Sequence, residues 1–210
     1  MTTGYPALRF QSMPIGVTYT RPHQHYPDRL ALDSPAVEGM TDLRMVTALT
    51  VERTNTLAAT RERMRKLGVK MLLVTDQTGA VAGVVTLSDL NSDRPGKIAA
   101  KSGEQPGDLL VQDIMTLRGR IEVLLLQDVV EANVGQLLSS LREAGRRHAL
   151  VLQPGQNGRD DMVCGIFSLT KLCSLIGLAI DTGDPMPTIE AALLEVLGPT
   201  PTDTPTASGA

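Results

Sequence analysis

The apolar positions of this chain form short strand-like runs and helix-like stretches whose order repeats. The first set consists of a strand at Val46–Val51, a helix capped by Asn55 and stopped by Gly68, a strand at Val69–Asp76, a strand at Ala80–Thr86 and a helix opening at LSDL. QTG at positions 77–79 predicts the turn between the two later strands.

The second half of the chain replays this order. It consists of a strand at Ile121–Leu126, a helix at Asn133–Ala144 stopped by Gly145, a strand at Arg146–Leu152 and a strand at Met162–Ser168. Gly68 then corresponds to Gly145, Gly83 to Gly165, and Thr86 to Ser168. Two tandem β-α-β-β-α copies predict an α+β fold.

The flanking segments differ from this pattern. Residues 1–40 hold five prolines and all three tyrosines, which predicts a Pro-rich N-terminal arm that is ordered only where it lies on something else. Residues 199–210 have no apolar side chain larger than alanine or proline and predict a disordered tail. The predicted domains are therefore 41–103 and 104–198.

Composition and charge exclude several classes of protein. The hydrophobic set makes up 42% of 210 residues, which argues against wholesale disorder. No apolar run approaches a membrane span, and no signal peptide is predicted, so we expect a cytoplasmic protein without a membrane partner. The net charge of -3 argues against a nucleic-acid partner bound through bulk charge. Residues 41–103 carry about +4 and residues 104–198 about -6.

The repeated motifs resemble a tandem pair of cystathionine-β-synthase (CBS) domains, the arrangement called a Bateman module. The residues that carry this resemblance are GVVTLSDL (Gly83–Leu90), GIFSLTKL (Gly165–Leu172), LLVTD (Leu72–Asp76) and DIMT (Asp113–Thr116). The resemblance covers about Met40 to Leu178 and extends to stand-alone bacterial CBS proteins. It implies two domains packed about a pseudo-two-fold axis, an adenine nucleotide or related adenosyl ligand in the cleft between them, and a homodimer.

Thr86 and Asp89 admit two interpretations. The resemblance implies that Asp89 accepts hydrogen bonds from ribose hydroxyls and that Thr86 stands near a phosphate. Thr followed three residues later by Asp is also typical of a capping box, which needs no ligand. In the second copy Ser168 is expected to keep the cap, whereas Lys171 stands where Asp89 does. Because lysine cannot accept a hydrogen bond, we expect one good nucleoside site in each chain.

The remaining predicted ligand residues fall into a basic group and an apolar group. Lys70, Arg146, Arg147 and His148 are predicted near the ligand phosphate, and a solvated helix end is the alternative for the trio at 146–148. A slot for a purine is predicted from apolar side chains, with a place in the core as the alternative; they are Leu49, Thr50, Val51, Val69, Met71 and Val84 of the Gly83–Val85 strand.

The residues and the resemblance together support two functions. The first is a regulatory module that binds an adenine nucleotide such as AMP, ADP or ATP and signals to an unidentified effector protein by rearranging its domains. The second is a ligand-free dimerisation or interaction scaffold. No catalytic nucleophile with its base, metal cluster or required cofactor is predicted, so we expect the protein not to be an enzyme.

Overall fold

The computed structural model describes residues 11–15, 17, 24–155, 160–180 and 184–198. The predicted disordered tail at 199–210 and most of the first 23 residues lie outside these ranges. Within them the fold is mixed, with helices and two four-stranded sheets. The strands are β1 (Thr41–Asp42), β2 (Thr50–Glu52), β3 (Met71–Thr75), β4 (Val81–Thr86), β5 (Thr116–Leu117), β6 (Val123–Leu125), β7 (His148–Gln153) and β8 (Met162–Ser168). The α-helices are α1 (Leu57–Leu67), α2 (Leu87–Asn91), α3 (Arg94–Ser102), α4 (Val111–Ile114), α5 (Leu126–Glu131), α6 (Val134–Glu143), α7 (Leu169–Leu175) and α8 (Met186–Leu197).

The two sheets have the same internal order, which confirms the predicted tandem repeat. One sheet is ordered β2-β3-β4-β5 and the other β6-β7-β8-β1. In each, the first pair is parallel and the next two are antiparallel. We call the parts built on these sheets the first unit and the second unit.

The fourth strands of the two sheets do not follow the predicted domain divisions. β1 precedes the first unit in sequence but pairs with β8, so that Thr41 lies opposite Ile166. β5 follows the first unit's helices and pairs with β4, with Thr116 opposite Val84. The predicted divisions at residues 41 and 104 therefore differ from sheet membership, because β1 belongs to the second unit's sheet and β5 to the first unit's sheet.

The helices begin and end close to the predicted positions because local capping is strong. Gly68 and Gly145 both have positive φ, 67° and 60°, at the ends of α1 and α6, a backbone conformation that glycine adopts without strain. Asn133 caps α6 and accepts a hydrogen bond from the Gln136 N–H at 2.8 Å. The predicted cap at Asn55 is wrong. Thr56 caps α1, since the Asn55 carbonyl accepts from the Val111 N–H instead.

Residues 24–40 of the arm pack on the second unit. Leu30 and Ala36 are buried in that unit's core, and their backbone N–H groups donate to the carbonyls of Leu175 and Ala132, each at 2.9 Å. This stretch therefore completes the second core, as the arm prediction allowed.

The two sheets meet through a shared apolar layer. Leu73, Val84 and Leu150 are buried in it, and Val81, Val163 and Ile166 pack around them. Leu73 on β3 and Leu150 on β7 occupy equivalent places in the repeat, so this layer holds the two units face to face.

Candidate functional site

A cleft of about 1270 Å³ runs between the two units. Equivalent residues of both units line it, since Gly68, Lys70 and Met71 in the first unit match Gly145, Arg147 and His148 in the second. We call it the central cleft. It is the feature that brings most of the predicted ligand residues together.

Eleven of the fourteen predicted ligand residues line the central cleft. They are Leu49, Val69, Lys70, Met71, Val84, Thr86, Arg146, Arg147, His148, Ser168 and Lys171. The other three, Thr50, Val51 and Asp89, are not among the lining residues. Val51 lies in the core of the first unit, and the Thr50 carbonyl accepts a hydrogen bond from Arg63 Nε at 2.9 Å.

Val51 misses the cleft because it packs among the core side chains of its own unit. Leu49, also part of the predicted slot, packs against the same core and reaches the cleft as well. The strand predicted at Val46–Val51 is in fact confined to Thr50–Glu52, and Leu49 contributes its carbonyl to the Leu73 N–H at 3.1 Å.

Thr86 and Asp89 form a complete capping box. Asp89 Oδ2 accepts from the Thr86 backbone N–H and hydroxyl, and Thr86 Oγ1 accepts from the Asp89 N–H at 3.2 Å. The helix cap among the two interpretations of this pair is therefore present in the structure.

The second unit departs from this arrangement. Ser168 caps α7 by position, but its side chain makes no hydrogen bond to the helix backbone, so the expected cap is wrong. Lys171 stands where the box needs an acceptor and has none to offer to the N-cap N–H. Its ammonium instead lies 4.4 Å from the centre of the Tyr26 ring.

The backbones that present Lys70 and Arg147 are held in the same way. The Lys70 carbonyl accepts from the Leu87 N–H at 2.8 Å, and the Arg147 carbonyl accepts from the Leu169 N–H at 2.8 Å. Each strand start is thereby tied to the helix that follows its unit's hairpin. The Lys70 and Arg147 side chains therefore start from equivalent backbone positions in the two units.

The second unit's basic residues have identifiable partners. Arg146 pairs with Glu122 at 2.5 Å, which neutralises its charge locally. The Arg147 guanidinium donates to the Asp184 carbonyl, which orients it. Arg120, which no sequence motif indicated, also lines the cleft. It lies in a 3-10 turn at Arg118–Arg120 that carries no periodic signal.

His148 is neutral at physiological pH. Burial lowers the pKa of its imidazole to about 4, and the positive charges of Arg147 and Lys70 act in the same direction. A neutral imidazole can donate one hydrogen bond and accept one, so His148 adds polarity to the cleft without adding charge.

Within the ranges that the structure describes, no helix is long and apolar enough to cross a membrane. The same ranges contain no group of three His, Cys, Asp or Glu side chains arranged to hold a metal ion.

Part of the chain is similar to a known protein family. Residues 40–93 match the family model of the CBS domain. No curated protein matched the chain.

Several solved structures are similar to this chain. An uncharacterized conserved protein from Pyrococcus horikoshii is 22% identical, with a TM-score of 0.49 over 73% of this chain and 100% of that chain. A putative signal-transduction protein with CBS domains from Burkholderia ambifaria is 21% identical, with a TM-score of 0.45 over 66% of this chain and 89% of that chain. The CBS domain of a bacterial CNNM/CorC family Mg²⁺ transporter, solved in complex with ATP, is 16% identical, with a TM-score of 0.47 over 71% of this chain and 91% of that chain.

Proposed function

We propose that the protein is a regulatory module that binds an adenine nucleotide in the central cleft. The match of residues 40–93 to the CBS domain model supports this, and the second unit repeats the sheet order of the first. The observation that carries the proposal is the lining of that cleft, where equivalent positions of both units combine apolar side chains with cations. Binding sites for small molecules usually have this combination of apolar walls and a few placed polar groups.

The apolar part of the cleft suits a purine. Leu49, Val69 and Met71 of the first unit line it together with Val84, and Ile166 contributes from the second unit. A flat base inserted among these side chains would remove apolar surface from water on both of its faces. Thr50 and Val51 have no part in this slot, whereas Leu49 and Val69 of the predicted set do.

The cationic part of the cleft suits phosphate. Lys70 and Arg147 enter from the two units on matching backbone frames. Hydrogen bonds between such cations and phosphate oxygens are stronger than neutral ones. His148 can add a neutral hydrogen bond beside them.

Asp89 keeps a place in the proposal through its second oxygen. Oδ2 is engaged in the cap, and no described residue donates to Oδ1. A ribose at the Thr86 end of the cleft would meet a carboxylate whose orientation the cap already fixes. Loss of Asp89 would then affect both the stability of α2 and the affinity for nucleotide.

A thermal-shift and calorimetry panel tests the proposal. It compares adenosine, AMP, ADP, ATP and GTP on the wild type, on Lys70→Gln and on Lys101→Gln, a matched control on the exposed side of α3. A ligand at 100 times its dissociation constant adds about 2.7 kcal/mol to the free energy of unfolding, which corresponds to several degrees in Tm. We expect adenine nucleotides to give this shift, Lys70→Gln to weaken it and Lys101→Gln to leave it unchanged.

The complete Thr86–Asp89 cap favours one alternative, a scaffold that needs no ligand. If no nucleotide produces a shift in Tm or a heat of binding, the proposal is overturned and this alternative stands. Both functions include a homodimer and an unidentified effector protein. Light scattering on the full chain, with and without nucleotide, measures the first of these.

A further inference from the structure

We propose that the central cleft binds a nucleoside polyphosphate in one direction, with the nucleoside at the first unit and the terminal phosphate on Lys171 at the second unit. The inference rests on the proposed function, because it specifies the ligand and its orientation in the same cleft.

The two ends of the cleft are chemically different although their backbones are equivalent. At the first unit, the Thr86 hydroxyl and the Asp89 carboxylate satisfy each other. At the second unit, the Ser168 hydroxyl makes no bond to its helix, and Lys171 brings a positive charge. At the first end the hydroxyl and the carboxylate are engaged with each other and Asp89 is not part of the lining, whereas at the second end a hydroxyl beside an ammonium suits phosphate.

The cleft has an excess of positive charge. Its lining includes five cations, Lys70, Arg120, Arg146, Arg147 and Lys171, and one carboxylate, Glu122. Glu122 pairs with Arg146, which leaves the other four cations for a ligand. A single phosphate group carries about two negative charges, so a monophosphate would leave part of this charge uncompensated. A longer phosphate chain compensates more of it.

The size of the cleft agrees with the charge. Its volume of about 1270 Å³ exceeds the roughly 300–1000 Å³ that is usual for sites of drug-sized ligands. The lining continues from Leu49 and Val69 in the first unit to Thr170, Lys171 and Ser174 in the second. A ligand that reaches both ends must therefore be longer than a nucleoside.

Tyr26 of the arm holds Lys171 at its end of the cleft. The ammonium lies over the Tyr26 ring, and the Tyr26 hydroxyl is 2.6 Å from Thr41 Oγ1 on β1. A cation-π contact uses none of the ammonium's N–H donors, so Lys171 can bind phosphate while it rests on the ring. Tyr26 is thus a positioning residue for the ligand contact.

Titration calorimetry with four probes tests the inference. The probes are adenosine, AMP, ATP and sodium tripolyphosphate, each without divalent metal, on the wild type, Lys171→Gln and the matched control Lys101→Gln. We expect ATP to bind more tightly than AMP. Lys171→Gln should weaken ATP and tripolyphosphate about tenfold, the usual cost of one charge-assisted hydrogen bond. AMP affinity should change less than about twofold, and Lys101→Gln should change nothing.

Each outcome separates this inference from the proposed function. Equal affinities for AMP and ATP, or equal losses for both in Lys171→Gln, overturn the orientation while adenine-nucleotide binding stands. If tripolyphosphate binds in a way that depends on Lys171 while adenosine and AMP do not bind, the phosphate site is supported and the choice of adenine is overturned. No binding of any probe overturns both.

The positioning role of Tyr26 has its own readout. Tyr26→Phe keeps the ring and loses the hydrogen bond to Thr41, whereas Tyr26→Leu loses both. We expect ATP affinity to survive Tyr26→Phe and to fall in Tyr26→Leu, with AMP affinity unchanged in both. Equal ATP affinity in the two variants overturns this role.

Discussion

Asp89 Oδ2 accepts two hydrogen bonds from Thr86, one from its backbone N–H at 2.8 Å and one from its hydroxyl at 2.7 Å. The pair closes the first turn of α2 through contacts within the chain itself. It also gives the two units a difference that can be measured, because the equivalent Ser168 makes no such bonds.

Removing the cap should cost stability in one unit and not in the other. Thr86→Ala should lower the free energy of unfolding by about 1 kcal/mol, the usual cost of losing an N-cap side chain. Ser168→Ala should change it by only a few tenths, because no cap bond is lost. Urea denaturation followed by circular dichroism measures both, and equal losses would contradict the asymmetry.

Two glycines allow close packing at the sheet edges, Gly83 against β5 and Gly165 against the residue that precedes β1. A Cβ on Gly83 would lie 2.2 Å from the Thr116 carbonyl oxygen of β5, and one on Gly165 would lie 2.2 Å from Met40 Sδ. Since a backbone oxygen can move less than a methionine side chain, Gly83→Ala should destabilise the protein more than Gly165→Ala. Overpacking of this kind costs about 1–3 kcal/mol.

Gly96→Ala is the matched control for these two substitutions. Gly96 lies in α3, and a Cβ there meets nothing within 4 Å. Alanine inside a helix is favoured over glycine by about 0.5–1 kcal/mol, so this variant should be more stable than the wild type. If Gly83→Ala is also neutral or stabilising in thermal melts, the close approach of β5 is not the constraint that we describe.

Because of His148, the free energy of unfolding should depend on pH above the pH range in which the carboxylates titrate. Its folded-state pKa of about 4 lies below the ordinary histidine value of 6.5, so the unfolded chain binds the proton more readily between these values. The free energy of unfolding should therefore fall as the pH drops from about 6.5 towards 4, by up to about 3 kcal/mol.

Urea midpoints at pH 7.5, 6.5, 5.5 and 5.0 measure this effect. The wild type should lose stability over the lower steps, and His148→Gln should have a flatter profile. The carboxyls of Asp42 and Glu62, whose pKa values are lowered by neighbouring arginines, contribute below this range. An equal slope in both proteins would show that His148 is not the group responsible.

Fragments of the chain should fold according to sheet membership. A fragment of residues 46–120 contains β2 to β5 together with Leu109, Val111 and Ile114 of the first core. A fragment of residues 41–103 lacks these residues and β5. We expect the first fragment to unfold cooperatively. The second should give a proton–nitrogen NMR spectrum with the narrow amide-proton dispersion of an unfolded chain.

The sequence was informative wherever a local rule decides the structure. Gly68 and Gly145 end their helices because each adopts positive φ, and the spacing of Thr86 and Asp89 is sufficient for a cap. The capping rule failed at Ser168, because the residue three positions later is Lys171 and not an acceptor. Leu49 and Val51 share a face by strand alternation, so that rule could not tell that only Leu49 reaches the cleft.

Features that depend on distant pairing could not be predicted in this way. β1 and β5 have two residues each, too short for any hydrophobic period to appear. Arg120 enters the cleft because β5 places the following turn there. Tyr26 reaches Lys171 across most of the chain length, and no local pattern links the two.

The way in which β1 and β5 pair also bears on how the protein can move. Because each of these pairings lies within one sheet, what joins the two units is their shared apolar layer. Opening the units like the covers of a book would expose Leu73, Val84 and Leu150 to water. Sliding of the sheets over this layer keeps those side chains buried and needs only small shifts of packed side chains. A signal transmitted by this movement would thus be a displacement of about an ångström or two between the two units. A partner that responds to it must bind both units.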